Sequence, residues 1–288
     1  MLKSFAQKYH LVLKKGQNVS ILWRLTVNKI LQKKLRLMKW IHGIHHPVVH
    51  YYSVCRNEEK MLPFVFGYHD QFVDHFIFYD NYSDDQTETI VKSHRNTDVI
   101  KLKTNGIDDL VLAHVKNNCW KRSRGKADFV IVCDVDEFAY HPNMDSFLRE
   151  LMEQKASLPV PVGYNMYSDT FPEYSEGTTI MQQVRNGVPD DGYSKCLLFD
   201  PHRVVEINYD PGAHFCHPVG QITRGGEYKV LHYKNLDVEA VLARTRINAA
   251  RLSQINLEQN LGYAYLYPEE RIRSEFEENL QKAKPVVE

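Results

Sequence analysis

Cysteine is scarce in this sequence of 288 residues, and no two cysteines form a C-x-x-C pair. The five that occur are odd in number and widely spaced, at Cys55, Cys119, Cys133, Cys196 and Cys216. Scattered cysteines argue against a disulfide framework and against a structural zinc site. We therefore expect the protein in a reducing compartment, the cytoplasm.

Long apolar runs are also absent. No stretch approaches the roughly 20 apolar residues that a helix needs to span a bilayer, and the N-terminus lacks the apolar core and cleavage site of a signal peptide. A glycine-rich phosphate loop near the N-terminus, which would favour a nucleotidyltransferase, is missing as well. The expected relation to a membrane is therefore peripheral, at its inner face.

The first 50 residues contain no acidic side chain. They hold ten basic residues, namely Lys3, Lys8, Lys14, Lys15, Arg24, Lys29, Lys33, Lys34, Arg36 and Lys39. The whole chain has a formal net charge of zero, so the remainder carries 26 basic and 36 acidic residues, a net charge of −10. A basic head on an acidic body indicates an electrostatic attachment to something anionic.

Apolar residues are interleaved with the basic ones over residues 18–42, which predicts an amphipathic helix. Such a helix can lie on an anionic membrane surface with its cations near the lipid headgroups, so that residues 1–45 bind the membrane. It can equally be an ordinary basic helix packed on the body, and the sequence alone does not decide. No nucleic acid partner is expected, because the body offers no basic stripe to extend the contact.

From residue 48 onward, predicted strands and helices alternate. The predicted strands are 48–55, 75–79, 98–102 and 129–133, and the predicted helices are 58–70, 85–94, 107–124, 236–257 and 269–282. Alternation with short connections is typical of β-α-β units in a mainly parallel sheet. We therefore predict an α/β fold, preceded by a basic segment over 1–47 and followed by C-terminal helices over 236–288.

The run FVIVCDVDEF at residues 129–138 is the most informative part of the sequence. A buried strand ends there in three carboxylates within four positions, Asp134, Asp136 and Glu137. Carboxylates so close together repel one another, and a divalent cation is the natural compensation because hard cations prefer carboxylate oxygens. Ligands of parallel sheets bind beyond the carboxyl ends of the strands. The run therefore predicts a metal site.

Polar residues also follow two other predicted strands. The first cluster consists of Arg56, Asn57 and Glu58, and the second of Asp80, Asn81 and Ser83. Turns and helix caps alone explain a single cluster of this kind, and Ser83 or Asp84 is expected to cap the next helix. Three clusters at one edge of a sheet are better explained by a polar ligand that binds together with a metal.

Several of these blocks together resemble a known enzyme family. The segments CRNEEKMLPFVFGYHDQFVDHFIFYDNYSDD and ADFVIVCDVDEF, with a helix carrying Asn117 and Asn118 between them, resemble glycosyltransferase family 2-like enzymes of the GT-A fold. The similarity is greatest to the subset with a D-x-D-E-F motif, in the style of glycosyltransferase family 92. It covers residues 50–140 well and 190–250 more loosely, and it leaves out 1–45 and 141–190.

The resemblance implies a metal-dependent, inverting hexosyltransferase that moves a sugar from a UDP- or GDP-sugar to a hydroxyl of a glycan or lipid-linked acceptor. Residues 48–140 would bind the nucleotide sugar, and residues 141–235 would bind the acceptor. Base and ribose would be held by Arg56, Asn57, Glu58 and Asp80, with Asn81 and Ser83 shaping the turn. Asp134 and Asp136 would hold Mn²⁺ or Mg²⁺ on the diphosphate, with Asp136 as the direct ligand.

The second half of the chain offers further candidates. The resemblance directs His232 toward the metal and the diphosphate, in preference to His217 and then His214. Lys195, in a strand predicted over 193–199, would contact a phosphate as a point charge, or be an exposed strand lysine. Glu137 would support the metal or face the sugar, or be a charge that a nearby lysine or arginine satisfies.

An inverting transfer needs a base that removes the proton of the acceptor hydroxyl. The candidates are Asp169, Glu173, Glu176, Asp190 and Asp191, and we choose Asp191, although turn chemistry also explains its Asp-Asp-Gly sequence. Two alternative functions stay open. One is another metal-dependent nucleotide-sugar enzyme, a nucleotidyltransferase or phosphohydrolase. The other is a non-catalytic, membrane-associated glycan-binding domain, against which the intact acids at positions 134 and 136 argue.

Overall fold

The computed structural model describes residues 11–12 and 18–287, so part of the basic segment predicted over 1–47 lies outside the described residues, including Lys3, Lys8, Lys14 and Lys15. The strands are β1 (Leu11–Val12), β2 (Val49–Cys55), β3 (His75–Asp80), β4 (Thr97–Lys101), β5 (Phe129–Asp134), β6 (Glu137–Tyr140), β7 (Val160–Ser168), β8 (Asn186–Pro189), β9 (Leu198–Phe199), β10 (Val204–Glu206), β11 (Val219–Gln221), β12 (Glu227–Leu236) and β13 (Lys284–Pro285).

The helices are α1 (Asn18–Ile41), α2 (Leu62–His69), α3 (Thr87–Ser93), α4 (Asp109–Asn118), α5 (Met144–Gln154), α6 (Ile180–Gln183), α7 (Val238–Ala250), α8 (Gln254–Glu258) and α9 (Glu269–Lys282). Short 3₁₀ turns occur at Cys119–Ser123, Asp191–Tyr193, Pro211–Ala213 and Tyr263–Leu266. Among residues 18–287, no helix is both long and apolar enough to cross a membrane.

The central sheet has the strand order β4-β3-β2-β5-β9, in which the first four strands are parallel and β9 is antiparallel to β5. Helices α2, α3 and α4 each connect one parallel strand to the next. Residues 129–133 are buried throughout, as expected for a strand with both faces covered. The predicted α/β fold, with a mainly parallel sheet flanked by helices, is confirmed.

A second sheet has the order β13-β8-β7-β12-β6. Only two residues separate β5 from β6, so Asp134–Glu137, here called the carboxylate turn, carries the chain from the first sheet into the second. In this sheet His232 of β12 pairs with Glu137 of β6 on one side and with Asn165 of β7 on the other. The pairing of β12 with β6 therefore places His232 beside the carboxylate turn.

The predicted helix over 18–42 is confirmed as α1, which packs on a small sheet of order β1-β11-β10. Ile21 and Leu25 bury their side chains against Val205 and Val219. Asn28 donates a hydrogen bond of 3.0 Å to the carbonyl oxygen of His202, and Arg24 pairs with Glu206. One face of this basic helix is thus fixed to the body.

Three sequence predictions of local structure were wrong in detail. The strand predicted over 193–199 is reduced to β9, because the Tyr228 hydroxyl takes the place of a partner strand and bonds the Leu197 amide and the Lys195 carbonyl. The helix predicted over 236–257 breaks between α7 and α8, where Ser253 caps α8. Neither Ser83 nor Asp84 caps α3; Asp85 accepts from the Thr87 amide instead.

Candidate active site

The three polar clusters meet at one edge of the central sheet. Asp134 stands beside Val54 in the register of β5 and β2, and Asp80 stands beside Cys55 in the register of β3 and β2. The carboxyl ends of parallel strands lie at the same edge of a sheet, so residues far apart in sequence come together here. The predicted strand-end edge therefore exists in the fold.

Lysines of the chain itself compensate the carboxylate turn. The Lys116 ammonium lies 2.7 and 2.8 Å from the two oxygens of Asp134. Burial opposes ionisation of Asp134, but Lys116 and Lys195 outweigh it and hold the pKa of this carboxyl to about 2. From the sequence, a divalent cation was predicted to compensate these carboxylates, and Lys116 was not among the predicted site residues. Nothing in the sequence marks this lysine, because only the packing of α4 brings it to the turn.

Glu137 and Lys195 form a buried ion pair. The Lys195 ammonium lies 2.5 Å from Glu137 Oε1, and the two residues are only 3% and 1% exposed. Glu137 Oε2 also accepts a 3.1 Å hydrogen bond from the Asp134 amide and so closes the carboxylate turn. Each is therefore the other's buried counter-charge, which is the alternative that the sequence left open for Glu137. The contacts of Lys195 with a phosphate and of Glu137 with a sugar stay predictions.

Arg244 of α7 brings a third cation to the site. Its guanidinium lies 2.7 Å from Glu58 Oε1 and 3.5 Å from Asp136 Oδ2, so that it links the β2 edge to the carboxylate turn. Burial raises the pKa of Glu58 to about 7, and the attraction of Arg244 offsets this only in part. Sequence reasoning missed Arg244 because it stands more than 100 residues from either carboxylate.

His232 faces Asp136 from strand β12. Its Nε2 lies 3.8 Å from Asp136 Oδ2, its Nδ1 lies 2.7 Å from Asn165 Oδ1, and the Tyr193 ring stacks on it at 4.0 Å. Burial lowers the pKa of His232 well below its ordinary value, so the imidazole is neutral. The other two candidate histidines have different partners: His217 contacts Asp210 and His214 contacts the Gly192 carbonyl.

The predicted metal ligands do not form a preassembled set. Within residues 11–12 and 18–287, no three His, Cys, Asp or Glu side chains are grouped to hold an ion. Both oxygens of Asp134 contact Lys116, so Asp134 would bind a cation only by exchanging this lysine, and its role as a ligand stays a prediction. Asp136 and His232 face each other, with Oδ2 and Nε2 3.8 Å apart. Two adjacent ligand atoms at about 2.1 Å from one cation lie about 3.0–3.4 Å apart in octahedral or tetrahedral geometry, so an approach of about 0.4–0.8 Å would let this pair hold a divalent metal.

The residues expected to hold base and ribose instead bind one another. Arg56 donates to the carbonyls of Asn81 and Tyr82, at 3.1 and 2.6 Å. The Asn57 amide donates to Ser83, and the Asn81 side chain donates to Thr104. Asp80 is buried, accepts from Ser83 and pairs with Lys101. Asp80 therefore holds this turn, and its contact with the base or ribose stays a prediction.

The candidate bases divide into two groups. Asp169, Glu173 and Glu176 are exposed in the loop after β7. Asp190 instead accepts from the Asn165 side chain at 2.7 Å and from the Gly192 amide at 2.8 Å. The turn that follows, Asp191–Tyr193, therefore lies against the histidine side of the site, with the Asp191 side chain exposed.

Comparison with known proteins gives the family. A search of curated proteins found no match. Three solved structures of S. aureus TarS are similar to this chain. TarS 1–349 shares 12% identity over 70% of this chain and 64% of that one, with a TM-score of 0.38, and TarS shares 13% identity over 80% and 42%, with a TM-score of 0.37. TarS 1–349 in complex with UDP-GlcNAc shares 12% identity over 79% of this chain and 71% of that one, with a TM-score of 0.39. The chain thus spans less than two thirds of the first two.

A family sequence profile, and not these structures, shows the family of this chain. The profile of glycosyltransferase family 92 matches residues 50–282, which is most of the chain and includes every site residue described above. The resemblance stated from the sequence motifs is confirmed. This protein belongs to glycosyltransferase family 92.

Proposed function

We propose that this protein is a divalent-metal-dependent hexosyltransferase that moves a sugar from a UDP- or GDP-sugar to a hydroxyl of a glycan or lipid-linked acceptor, with inversion. Membership of a glycosyltransferase family supports glycosyl transfer from a nucleotide sugar and favours it over nucleotidyl transfer or phosphate hydrolysis. The observation that carries the metal-dependent form is the 3.8 Å gap between neutral His232 and Asp136 at the strand-end edge.

Asp136 and His232 would hold the metal. When bound, Mn²⁺ or Mg²⁺ supplies a Lewis acid for the charge on the leaving diphosphate, and a histidine ligand favours Mn²⁺. Arg244 already spans Glu58 and Asp136. Its planar fork suits the oxygens of a diphosphate, so it would exchange a carboxylate for the substrate and add positive charge at the same place.

Asp191 is the proposed base. Its side chain is exposed; its neighbour Asp190 accepts a hydrogen bond from Asn165, and Tyr193, two residues on, stacks on His232. A carboxylate at this turn would accept the proton of the acceptor hydroxyl as the oxygen attacks the anomeric carbon. Lys116 and Lys195 keep the carboxylate turn ionised and in place during this step.

A thermal-shift screen of nucleotides and nucleotide sugars, with and without Mn²⁺, tests the proposal. A ligand at 100 times its Kd stabilises a protein by about 2.7 kcal/mol. We therefore expect one nucleotide sugar to raise the melting temperature by several degrees, and only when Mn²⁺ is present. Equal stabilisation in EDTA would refute metal dependence. Binding without any turnover of the sugar on a panel of acceptors would favour the non-catalytic alternative.

The proposed location is the cytoplasmic face of an anionic membrane, with α1 as the contact. Trp23, Ile30 and Leu37 are 68%, 63% and 54% exposed on the side opposite the buried Ile21 and Leu25. Positions seven apart differ by only about 20° around a helix, so these three side chains form one outward stripe. The exposed Lys33 and Lys34 flank it. An apolar stripe bordered by lysines fits a lipid surface of negative charge.

Vesicle flotation tests this contact. Transfer of a large apolar side chain from water into lipid stabilises the bound state by about 1.5 kcal/mol or more, and three such side chains lie on this stripe. We expect the triple variant Trp23→Ser, Ile30→Ser and Leu37→Ser to lose more than tenfold in partitioning onto phosphatidylserine-containing vesicles. The matched control replaces the equally exposed Ile247, Leu257 and Leu266 of the C-terminal region with serine. Undiminished binding by the first variant would rule out α1 as the contact.

A further inference from the structure

The side-chain amide of Asn165 lies between Asp190 and His232. Its nitrogen donates to Asp190 Oδ2 at 2.7 Å, and its oxygen lies 2.7 Å from His232 Nδ1. A carboxylate can only accept a hydrogen bond, so Asp190 determines which end of the amide points toward it. The oxygen end must then face His232, and an amide oxygen accepts only.

This arrangement determines where the imidazole carries its proton. An imidazole that binds a metal through one ring nitrogen keeps its proton on the other, and because Nδ1 donates to the Asn165 oxygen, Nε2 is the nitrogen left to offer a lone pair to a metal. The lone pair faces Asp136 Oδ2 across 3.8 Å. The stacked Tyr193 ring at 4.0 Å and the pairing of β12 with β6 and β7 hold the imidazole in this orientation. A carboxylate oxygen and a ring nitrogen thus face each other, with the Arg244 guanidinium 3.5 Å from the same oxygen, and a metal ion between them would add a second positive charge at this oxygen.

We propose that Asp190 and Asn165 are positioning residues that set the tautomer of His232, so that Nε2 is presented to the cation bound by Asp136. The proposal rests on the proposed metal-dependent function and deepens it. A metal-binding histidine commonly donates its other ring N–H to a fixed acceptor, and loss of such an acceptor lowers metal affinity 10–100-fold. Here the acceptor is itself oriented by a further carboxylate.

The same hydrogen bonds join the metal site to the acceptor side. Asp190 Oδ1 accepts from the Gly192 amide at 2.8 Å, and the Gly192 carbonyl accepts from His214 Nδ1 at 2.7 Å. The turn that carries Asp191 is therefore held by the carboxylate that orients Asn165. If the turn moves away, the amide is free to rotate and to present its nitrogen to His232, which would move the ring proton to Nε2. Metal binding and turn ordering are then coupled in both directions.

Nitrogen-15 NMR of the histidine-labelled protein tests the tautomer directly in the absence of metal. The His232 signals are assigned by their absence from His232→Gln. We expect a protonated Nδ1 and an unprotonated Nε2 in the wild type, and loss of this tautomer in Asn165→Leu, which offers no acceptor. An Nε2–H tautomer in the wild type, or an unchanged tautomer in Asn165→Leu, would overturn the proposal.

A titration with Mn²⁺ alone, followed by electron paramagnetic resonance and by broadening of the His232 signals, tests the consequence. Asn165→Leu should raise the dissociation constant 10–100-fold. The exchange variant Asn165→Asp with Asp190→Asn restores one acceptor and one donor, and it should return to within about threefold of wild type, which a merely disrupted fold would not do. Equal Mn²⁺ binding by Asn165→Leu and wild type refutes the positioning role. Absence of Mn²⁺ binding in the wild type refutes the metal-dependent function instead.

Discussion

Asp136→Ala is expected to lower the rate of sugar transfer by about 10²–10³-fold or more, the effect of removing one group that stabilises developing charge. The substitution leaves His232 as the one protein ligand of the proposed pair and removes a carboxylate partner from Arg244. The fold should survive, because the Asp136 carbonyl, which accepts a 2.8 Å hydrogen bond from the Tyr233 amide, is unchanged. Turnover of the donor identified by thermal shift is the measurement.

The matched control for this variant is Asp145→Ala. Asp145 is an exposed carboxylate of α5 that pairs with Arg149 on the same helix and with none of the site residues described above. It should keep wild-type turnover and wild-type dependence on Mn²⁺. If Asp136→Ala retained both metal-dependent binding of the nucleotide sugar and turnover, the interpretation of this turn as a metal site would be wrong.

Lys195→Met is expected to lower the free energy of unfolding by about 3–5 kcal/mol, since removing one partner of a buried ion pair leaves an uncompensated buried charge. Glu137, which is almost completely inaccessible, would lose the ammonium 2.5 Å from its oxygen. The second oxygen of Glu137 accepts a hydrogen bond from the Asp134 amide, so a displaced Glu137 would also shift Asp134. Urea unfolding at pH 7.5 measures the change, and the slope of the transition checks that it is still cooperative.

Two further variants test the cause. Replacing both partners, with Lys195→Met and Glu137→Gln, removes the buried charges together and should recover most of the loss. Lys282→Met breaks a pair with Glu278 that is exposed on α9, and it should leave the urea midpoint almost unchanged, because water screens an exposed pair. A Lys195→Met protein as stable as the wild type would show that Glu137 does not depend on this lysine for its charge.

The order of strands and helices in the first half was predictable because the signals are local. A β-branched run such as Phe129–Cys133 is buried wherever it forms a strand, and the polar residues after Cys55 and Tyr79 mark where strands end. The parallel arrangement follows from the alternation with helices. These rules also located the edge where the site lies, before any contact was known.

Contacts between distant segments account for what local signals missed. Glu137 and Lys195 are 58 residues apart, and Glu58 and Arg244 are 186 apart, so no local pattern announces either pair. The predicted strand around Lys195 failed for the same reason: the Tyr228 hydroxyl, 31 residues away, satisfies the Leu197 amide that a neighbouring strand would otherwise bond. Lys116, which contacts both oxygens of the predicted metal ligand Asp134, is likewise brought there by packing and not by any local pattern.

The sequence by itself determined the α/β architecture, the acidic strand end at Asp134–Glu137 and the family, since these depend on periodicity and on motifs that are continuous in the chain. The tertiary structure decided what each charged group does. Lys116, Lys195 and Arg244 reach the carboxylates only through packing, and the neutral state of His232 results from its burial. The physical reason is that burial penalises an unpaired charge, so each carboxylate takes the partner that the completed fold brings nearest.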